Sequence, residues 1–329
     1  MCFLVLTLLT PRASAATIRW VDFRVGYAAL KAAMELDIAS QGEEKPLDWV
    51  DILALAAVKT GGRGISVRDV NAAAEKLCAD RSVKELLGER YKYFAYYREA
   101  YGAVLDGLLG NYAVAVTDSV TGQREWQPTY GLKAFSPIAE GFDYRHYDDF
   151  GSSRSYGFSR PHLGNDLFGV SGTPIVAVES GTVEALGWNP YGGWRIGIRS
   201  DDGLRYFYYA HLRKDAPYAP RLAVGDPVTA GEVIGFMGRT GYSTQENVEN
   251  IDTVHLHFGI ELIFEESQKD SDAEIWIDTY ALIRLLSAHR STVRFCAETG
   301  EWERVYPYCD LDARSCFFRF PCYNNRESA

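Results

Sequence analysis

The spacing of apolar residues along the chain changes near residue 112. From about residue 22 to 110, apolar positions recur every three or four residues, which is the period of amphipathic helices. We predict helices over 25–40, over 47–60, from Ser66 onward, and from a capping box at 82–85 to Gly110. The aromatic stripe over 91–101 has the spacing of a bundle core, although a ligand surface is the alternative. We therefore expect a helical domain over residues 16–112.

After residue 112 the chain reads as short strands broken by Gly, Pro, Asn and Asp, up to about residue 265. A helix is predicted over 276–289. Two similar segments, 172–187 and 225–238, each read as strand, tight turn and strand, and each resembles half of a biotinyl or lipoyl hairpin. Neither turn contains the lysine that a carrier domain modifies. These segments predict a duplicated β-hairpin scaffold and an α+β fold class, with a linker at 113–135 before the β domain.

Composition sets the broad class of protein. The chain has 329 residues, with 47% apolar and 24% charged residues, as is normal for about two globular domains. A net charge of −10 and the lack of a Lys/Arg run argue against a nucleic-acid partner.

The first residues predict export. The apolar run at 2–9 is too short to span a bilayer, and Ala13-Ser14-Ala15 follows it as a cleavage signal. We expect residues 1–15 to be a signal peptide and the mature protein to be secreted, with no stable membrane span. An ordinary N-terminal strand or a weak anchor is the alternative.

Four cysteines lie in the C-terminal tail, which we place at residues 293–329. They are Cys296, Cys309, Cys316 and Cys322. An even cluster in a secreted chain predicts one or two disulfides. The spacing lacks the C-x-x-C pairs of a zinc ribbon, and it leaves the connectivity open.

The candidate chemistry lies in the histidines. His255 and His257 are two apart on a predicted strand and therefore share one face. His162 and Asp166 are four apart around Gly164, so both can converge on one point. One imidazole and one carboxylate are an incomplete zinc set, because a catalytic zinc needs three protein ligands and an open position. A histidine of the HLH pair would complete it. His211, at the end of an aromatic strand, is by itself best explained as a core histidine.

Taken in order, HLGND, YYAHL, the duplicated segments and HLHFG resemble the lysostaphin-type, LytM-like zinc metalloendopeptidases over about residues 136–265. The resemblance implies an antiparallel, barrel-like β core with a groove, placed here at 136–292, and one Zn²⁺ per chain. It implies that the enzyme cleaves peptide bonds in bacterial peptidoglycan and is associated with the cell wall. It also implies a role for each of five residues: zinc ligands His162, Asp166 and His257, and catalytic histidines His211 and His255.

Two residues and one loop depart from the family pattern. Asn165 precedes the ligand Asp166 where an apolar residue is usual. Gly259 stands where Glu is frequent, and Glu261, on the same strand face, is a candidate replacement. The loop 244–254 is longer than usual, so we expect it to form one wall of the groove.

Two other functions fit the same scaffold: a non-catalytic wall-binding or regulatory protein, and a zinc peptidase that acts on proteins. Several questions stay open. They are the bond that is cut, the role of the helical domain, the oligomeric state, and which of His211 and His255 acts as the base.

Overall fold

The computed structural model describes residues 18–79, 91–118 and 121–312, with all of their side chains except that of Phe158. The expected signal peptide, the capping box at 82–85, Cys316 and Cys322 lie outside the described residues. The described residues contain five α-helices: α1 (Tyr27–Ser40), α2 (Trp49–Thr60), α3 (Val67–Ala79), α4 (Phe94–Leu105) and α5 (Tyr280–Leu286).

Helices α2 and α3 begin at residues whose side chains cap them. The Asp48 side chain accepts hydrogen bonds from the backbone N–H groups of Val50 and Asp51, at 2.7 and 3.1 Å. Ser66 and Asp69 bond reciprocally before α3. The prediction that a helix runs to Gly110 was wrong. Helix α4 ends at Leu105, because the apolar residues from Leu109 onward alternate and pair as a strand.

The described strands are β1 (Leu109–Thr117), β2 (Arg124–Leu132), β3 (Arg145–His146), β4 (Ser153–Tyr156), β5 (Phe158–Pro161), β6 (Asn165–Phe168), β7 (Pro174–Val176), β8 (Gly181–Asn189), β9 (Gly193–Ser200), β10 (Arg205–Ala210), β11 (Pro227–Val228), β12 (Val233–Phe236), β13 (His255–Leu262), β14 (Ile275–Ile277), β15 (Val293–Cys296), β16 (Glu301–Arg304) and β17 (Tyr308–Asp310). Most of the segment that we expected to be a linker is therefore ordered: β1 pairs along its length with β2 and, on its other edge, with β17. The stretch predicted as a helix over 276–289 divides into β14 and the shorter helix α5.

The main sheet has eight strands in the order β11-β8-β9-β10-β13-β6-β3, with β14 also on β13. Strands β6 and β14 occupy successive halves of the same edge of β13, at His255–Phe258 and Ile260–Leu262. All of the pairs are antiparallel, as expected. The expected barrel-like closure is absent from the described strands, because β11 and β3 are open edges.

The duplicated segments are strand, turn and strand, as predicted, but they are not hairpins. Their strands pair across the duplication: β7 with β12, and β8 with β11. Each segment thus completes the other. The two turns lie close together, and Gly231 N donates to Ala177 O at 2.8 Å.

The helices pack onto the sheet domain through one continuous apolar core. Polar contacts among the described residues also connect the two parts. Tyr130 Oη donates to Asp37 Oδ1 at 2.7 Å, Arg205 Nη1 donates to Ala103 O at 2.9 Å, and Gln268 Nε2 donates to Ile18 O at 2.8 Å. Phe94 and Tyr101 of the aromatic stripe are buried here, as a bundle core requires.

Near the end of the described chain, Cys296 is a free thiol and Cys309 is disulfide-bonded. In the described part of the chain, no helix has the length and apolar character needed to cross a membrane.

Candidate active site

The five predicted site residues meet over one face of the main sheet. Strand β13 presents His255 and His257 on this face, and β6 places Phe168 and Asp166 directly opposite them. The intervening Leu256 and Phe258 point the other way and are fully buried. The alternation read from the sequence therefore holds: one face of β13 packs into the core, and the other carries the polar residues.

Three donor atoms converge at this point. His162 Nε2 lies 2.7 Å from His257 Nδ1 and 3.0 Å from Asp166 Oδ1, and His257 Nδ1 lies 3.2 Å from Asp166 Oδ1. Two imidazole nitrogens and one carboxylate oxygen are a common donor set for catalytic zinc. Ligands bound at 2.0–2.2 Å in a tetrahedral arrangement lie roughly 3.3–3.6 Å apart, so small outward shifts would admit the ion. These residues fit a metal.

Gly164 makes room for this cluster. A Cβ at this position would lie 2.5 Å from the carbonyl oxygen of Phe258 and 2.8 Å from the His257 ring. The loop between His162 and Asp166 can cross β13 this closely only because the residue lacks a side chain.

A second layer orients the donors. Arg154 Nη2 lies 2.6 Å from Asp149 Oδ2 and 3.0 Å from Asp166 Oδ2, so Oδ1 of Asp166 is left to face the histidines. His162 Nδ1 lies 3.1 Å from the carbonyl oxygen of Asp149, to which it can only donate, and its Nε2 is thereby directed into the cluster. The sequence analysis missed Asp149 and Arg154, because neither belongs to a spaced motif. The only signal was a short acidic and basic stretch before β6.

The electrostatics of the cluster favour a cation. Burial by itself lowers the pKa of His162, but the hydrogen bonds and charges of Asp149 and Asp166 outweigh it and raise that pKa to about 9. Burial opposes ionisation of Asp166, yet the hydrogen bonds from His162 and His257 hold the pKa of its carboxyl well below the usual range. Burial lowers the pKa of His257, which keeps this ring neutral, as a metal ligand must be.

His211 and His255 stand beside the three donors, and their ring centroids are 4.7 Å apart. His211 Nδ1 lies 2.9 Å from Thr240 O, and His255 Nδ1 lies 2.8 Å from Thr253 O. A carbonyl only accepts, so each Nδ1 donates its N–H to that carbonyl, and Nε2 is the ring nitrogen that is left to face the groove. Burial lowers the pKa of His211 well below its usual value, and His255 and His257 lower it further.

The backbone at His211 is in the left-handed region, with φ of 60°. The chain turns sharply there, at the end of β10, and so the ring returns toward the groove. This conformation is costly for a residue with a Cβ, and such positions are frequent in functional sites.

The groove above the sheet has aromatic walls. Tyr156 of the β4–β5 hairpin stacks on Tyr242 at 4.9 Å, and the Arg160 guanidinium lies 4.6 Å from the ring of Tyr191. Of the long loop 244–254, Ile251 lines the groove, whereas Asn247 turns away to accept a hydrogen bond from Trp194 Nε1 at 2.9 Å. The loop therefore supplies less of the wall than we expected.

The two substitutions in the family pattern have local reasons. Asn165 is fully buried, and its Oδ1 accepts from Thr279 Oγ1 and Thr279 N, at 2.6 and 3.0 Å, which joins the β6 strand to the start of α5. At Gly259, a Cβ would lie 2.8 Å from the ring of Trp276. A glutamate cannot occupy this position while Trp276 covers it.

Comparison with known proteins agrees with this geometry. Residues 160–271 match Peptidase family M23. The chain is 36% identical over 155 residues to the L-Ala--D-Glu endopeptidase of Bacillus subtilis, covering 47% of this chain and 44% of that protein. It is 42% identical over 98 residues to lysostaphin of Staphylococcus staphylolyticus, covering 30% of this chain and 18% of that protein. The matched regions thus span less than half of each relative.

The fold as a whole is similar to the crystal structure of a lytM protein from Ruminococcus gnavus, with a TM-score of 0.53 and 24% identity over 84% of this chain and 92% of that one. This likeness concerns the fold. The matched range 160–271 contains His162, Asp166, His211, His255 and His257, and through it this chain carries a domain of Peptidase family M23.

Proposed function

We propose that this protein is a zinc-dependent endopeptidase that hydrolyses peptide bonds in bacterial peptidoglycan. The observation that carries the proposal is the convergence of His162 Nε2, Asp166 Oδ1 and His257 Nδ1 within 2.7–3.2 Å of one another, beside two further histidines. The names of the relatives, an L-Ala--D-Glu endopeptidase and lysostaphin, support a peptidase that acts on the bacterial wall.

In this proposal His162, Asp166 and His257 hold one zinc ion per chain. The bound zinc would lower the pKa of a water molecule toward about 7 and polarise the carbonyl of the bond to be cut.

The proton transfers fall to His211 and His255. Both present a free Nε2 to the groove, because each Nδ1–H is bound to a backbone carbonyl. A neutral imidazole can accept the proton of the attacking water at Nε2, and an imidazolium can donate one to the leaving amine. Thr240 O and Thr253 O hold the tautomer and orient the rings, as second-layer acceptors do in other histidine sites. The pH dependence of kcat in the His211→Ala and His255→Ala variants would identify the ring that accepts the first proton.

The groove supports an extended peptide as substrate. Its floor is the exposed face of β10, β13 and β6, and its walls carry Tyr191, Tyr242 and Trp276. Aromatic walls over a polar floor suit a chain of small residues with hydrogen-bonding backbone. We also propose that residues 1–15 are removed as a signal peptide, that the mature protein is secreted, and that it associates with the cell wall. Residues 16–112 are proposed to form a separate helical domain.

Mass spectrometry of peptidoglycan tests the proposal. Purified sacculi are incubated with the zinc-loaded protein, with the protein plus a chelator, and with His255→Ala as the matched inactive control. We expect new peptide termini with the wild type only, and recovery of activity when zinc is added back after the chelator.

Two outcomes would overturn the proposal. If folded protein that holds zinc leaves sacculi intact and also leaves casein intact, the scaffold binds or regulates rather than cuts. If casein is cut and sacculi are not, the substrate is a protein.

A further inference from the structure

Glu261 is a buried carboxylate with an oxygen that no described residue contacts by a hydrogen bond. It lies four residues beyond His257 on the same face of β13, in the floor of the groove. The residue is 2% exposed, and its Oε1 has no hydrogen-bond partner in the described part of the chain. An unpaired buried carboxylate destabilises a fold, so its retention requires a reason.

The cations nearest to Glu261 are committed elsewhere. Lys269 Nζ binds Glu184, and Arg199 divides its guanidinium between Glu184 and Glu266, with Nε at 2.7 Å from Glu184 and Nη1 at 3.0 Å from Glu266. Glu274 and Asp270 add negative charge, and Arg195, which lines the same groove, forms no ion pair with Glu261 among the described residues. The surroundings of Glu261 therefore carry negative charge that no described side chain neutralises by direct contact.

Two aromatic residues flank the carboxylate. Tyr206 on β10 and Trp276 on β14 are its direct cross-strand partners, so all three side chains share the groove face. The ammonium of Lys269 already lies 4.5 Å from the centre of the Tyr206 ring. The indole N–H of Trp276 donates to Glu274 at 2.7 Å, which holds the ring in place. A carboxylate between aromatic rings is an environment that favours an alkylammonium.

We propose that Glu261, with Tyr206 and Trp276, is a substrate subsite that binds a primary ammonium group of the peptide being cut. This inference rests on the proposed function, because it assigns one subsite of the same groove. Glu261 lies four positions beyond His257 on β13, which corresponds to about 13 Å along the strand. An extended peptide covers that distance with about four residues, and fewer when a long side chain carries the amine.

The protonation of Glu261 agrees with this assignment. Burial, and then the charges of Glu274 and Asp270, raise the pKa of Glu261 to about 8, while the positive charges of Lys269 and Arg199 only partly offset them. The carboxyl is thus poised to ionise when a cation arrives beside it, and an ammonium would form a charge-assisted hydrogen bond with the orphaned Oε1.

Acetylation of the amines provides the test. Soluble muropeptides are divided, and half are treated with acetic anhydride, which converts each primary amine to an uncharged amide. We expect kcat/KM of the wild type to fall at least tenfold on acetylation. Glu261→Gln should give one low value for both substrates, whereas Glu298→Gln, which removes an exposed charge outside the groove, should discriminate as the wild type does.

Two results would overturn the subsite: a wild type that cuts both substrates equally, or a Glu261→Gln variant that keeps the full preference. If Glu261→Gln fails to fold, Glu261→Asp replaces it, and we expect an intermediate preference because the charge is kept but withdrawn by one methylene. Lys269→Ala tests whether the ammonium group of Lys269 competes with the substrate amine for the subsite. We expect this variant to prefer the free amine over the acetylated substrate at least as strongly as the wild type does.

Calorimetry separates this inference from the proposed function and identifies the amine. The zinc-loaded protein is titrated with tetraglycine and N-acetyltetraglycine, and then with acetyl-Ala-Glu-Lys-Ala and its Nε-acetyl form. Tighter binding of the free amine in the first pair indicates a peptide N-terminus, and in the second pair a diamino-acid side chain. If the protein binds the free amine more tightly but cleaves no peptidoglycan, the proposed function is wrong and the subsite is supported. If neither pair shows tighter binding of the free amine, the subsite proposal is wrong.

Discussion

His257 and Asp166 are directly opposite one another on the antiparallel strands β13 and β6, and their Nδ1 and Oδ1 atoms are 3.2 Å apart. The register is held by the neighbouring buried pair, Leu256 opposite Leu167. A slip of β6 by one residue would turn Asp166 away from the groove and leave His257 without this partner. Two of the three candidate ligands are therefore placed by strand pairing, and His162 is placed by the Gly164 loop.

Removal of the shared carboxylate should abolish metal binding. We expect Asp166→Ala to weaken zinc affinity at least 100-fold, because the two remaining imidazoles are an incomplete set. Competition with a chromophoric chelator measures the affinity. Asp270→Ala, which removes an acid from the far end of the groove, is the control and should bind zinc as the wild type does. Zinc bound at wild-type affinity by Asp166→Ala would place the metal elsewhere.

Arg154 is expected to act as a positioning residue. Its Nη2 contacts both Asp149 and Asp166, at 2.6 and 3.0 Å, so its loss frees the ligand carboxylate to rotate. Arg154→Ala should weaken zinc binding about 10- to 100-fold, as is usual for partners of metal ligands. Arg154→Lys should restore part of the affinity. Arg160→Ala, another groove arginine without these contacts, should leave zinc affinity unchanged, and an equal loss in both variants would refute the role.

His211 and His255 should affect the rate without affecting the metal. Each is expected to lower kcat about 10²- to 10⁴-fold when changed to alanine, which is the usual contribution of a general acid or base. Zinc affinity should stay within a few-fold of the wild type, because neither ring belongs to the three converging donors. His289→Ala is a suitable control, since that ring lies outside the groove and bonds to Ala134 O at 2.8 Å. A variant that loses zinc along with activity would reassign the residue as a ligand.

The sequence predicted the local periodicity well, because period and burial are linked. The helices α1 to α3, the shared face of His255 and His257, and the strand–turn–strand form of the duplicated segments all follow from spacing. Pairing between distant strands does not. The exchange of partners between β7–β8 and β11–β12 depends on tertiary register, and so the segments were misread as hairpins.

In the candidate site, too, residues in local motifs could be predicted, and residues that meet only in the folded protein could not. The motifs that contain the candidate ligands have fixed spacing, so the sequence predicts them, whereas Arg154 and Asp149 contact each other only through the fold and have no sequence motif of their own. Glu261 was noticed as a replacement for the residue at Gly259. That replacement stays a prediction. Only the structure shows why position 259 has no room for a side chain, because the ring of Trp276, from a strand that follows β13, and the carbonyl oxygen of Leu163 occupy the space over Gly259.

The buried ion pair beneath the helical domain should be important for stability. Arg205 is fully buried and bonds to both carboxylate oxygens of Glu179, at 2.8 and 2.9 Å, and to Ala103 O of α4. Arg205→Ala should lower the free energy of unfolding by about 3–5 kcal/mol, since it strands the Glu179 carboxylate. Urea titration measures the change. Arg199→Ala, which breaks a partly exposed pair, should cost about 1 kcal/mol or less, and similar costs for both would contradict the buried-pair argument.

Glu261 should make the protein less stable as the pH rises. Its pKa is about 8 when folded, against an ordinary value of 4.5, so between these pH values the unfolded chain releases a proton that the folded chain retains. The unfolded state then binds fewer protons, and the free energy of unfolding must fall as the pH increases from about 4.5 to 8. Glu261→Gln removes this penalty. Urea titration of the metal-free protein should show the variant more stable than the wild type by a few kcal/mol at pH 8, because each unit of raised pKa corresponds to about 1.4 kcal/mol. The advantage should shrink toward zero near pH 4.5, and Glu298→Gln, at an exposed position outside the groove, should show no such trend. A stability difference that does not change with pH would mean that Glu261 is ionised and paired in the folded protein, and the orphaned carboxylate would then need another explanation.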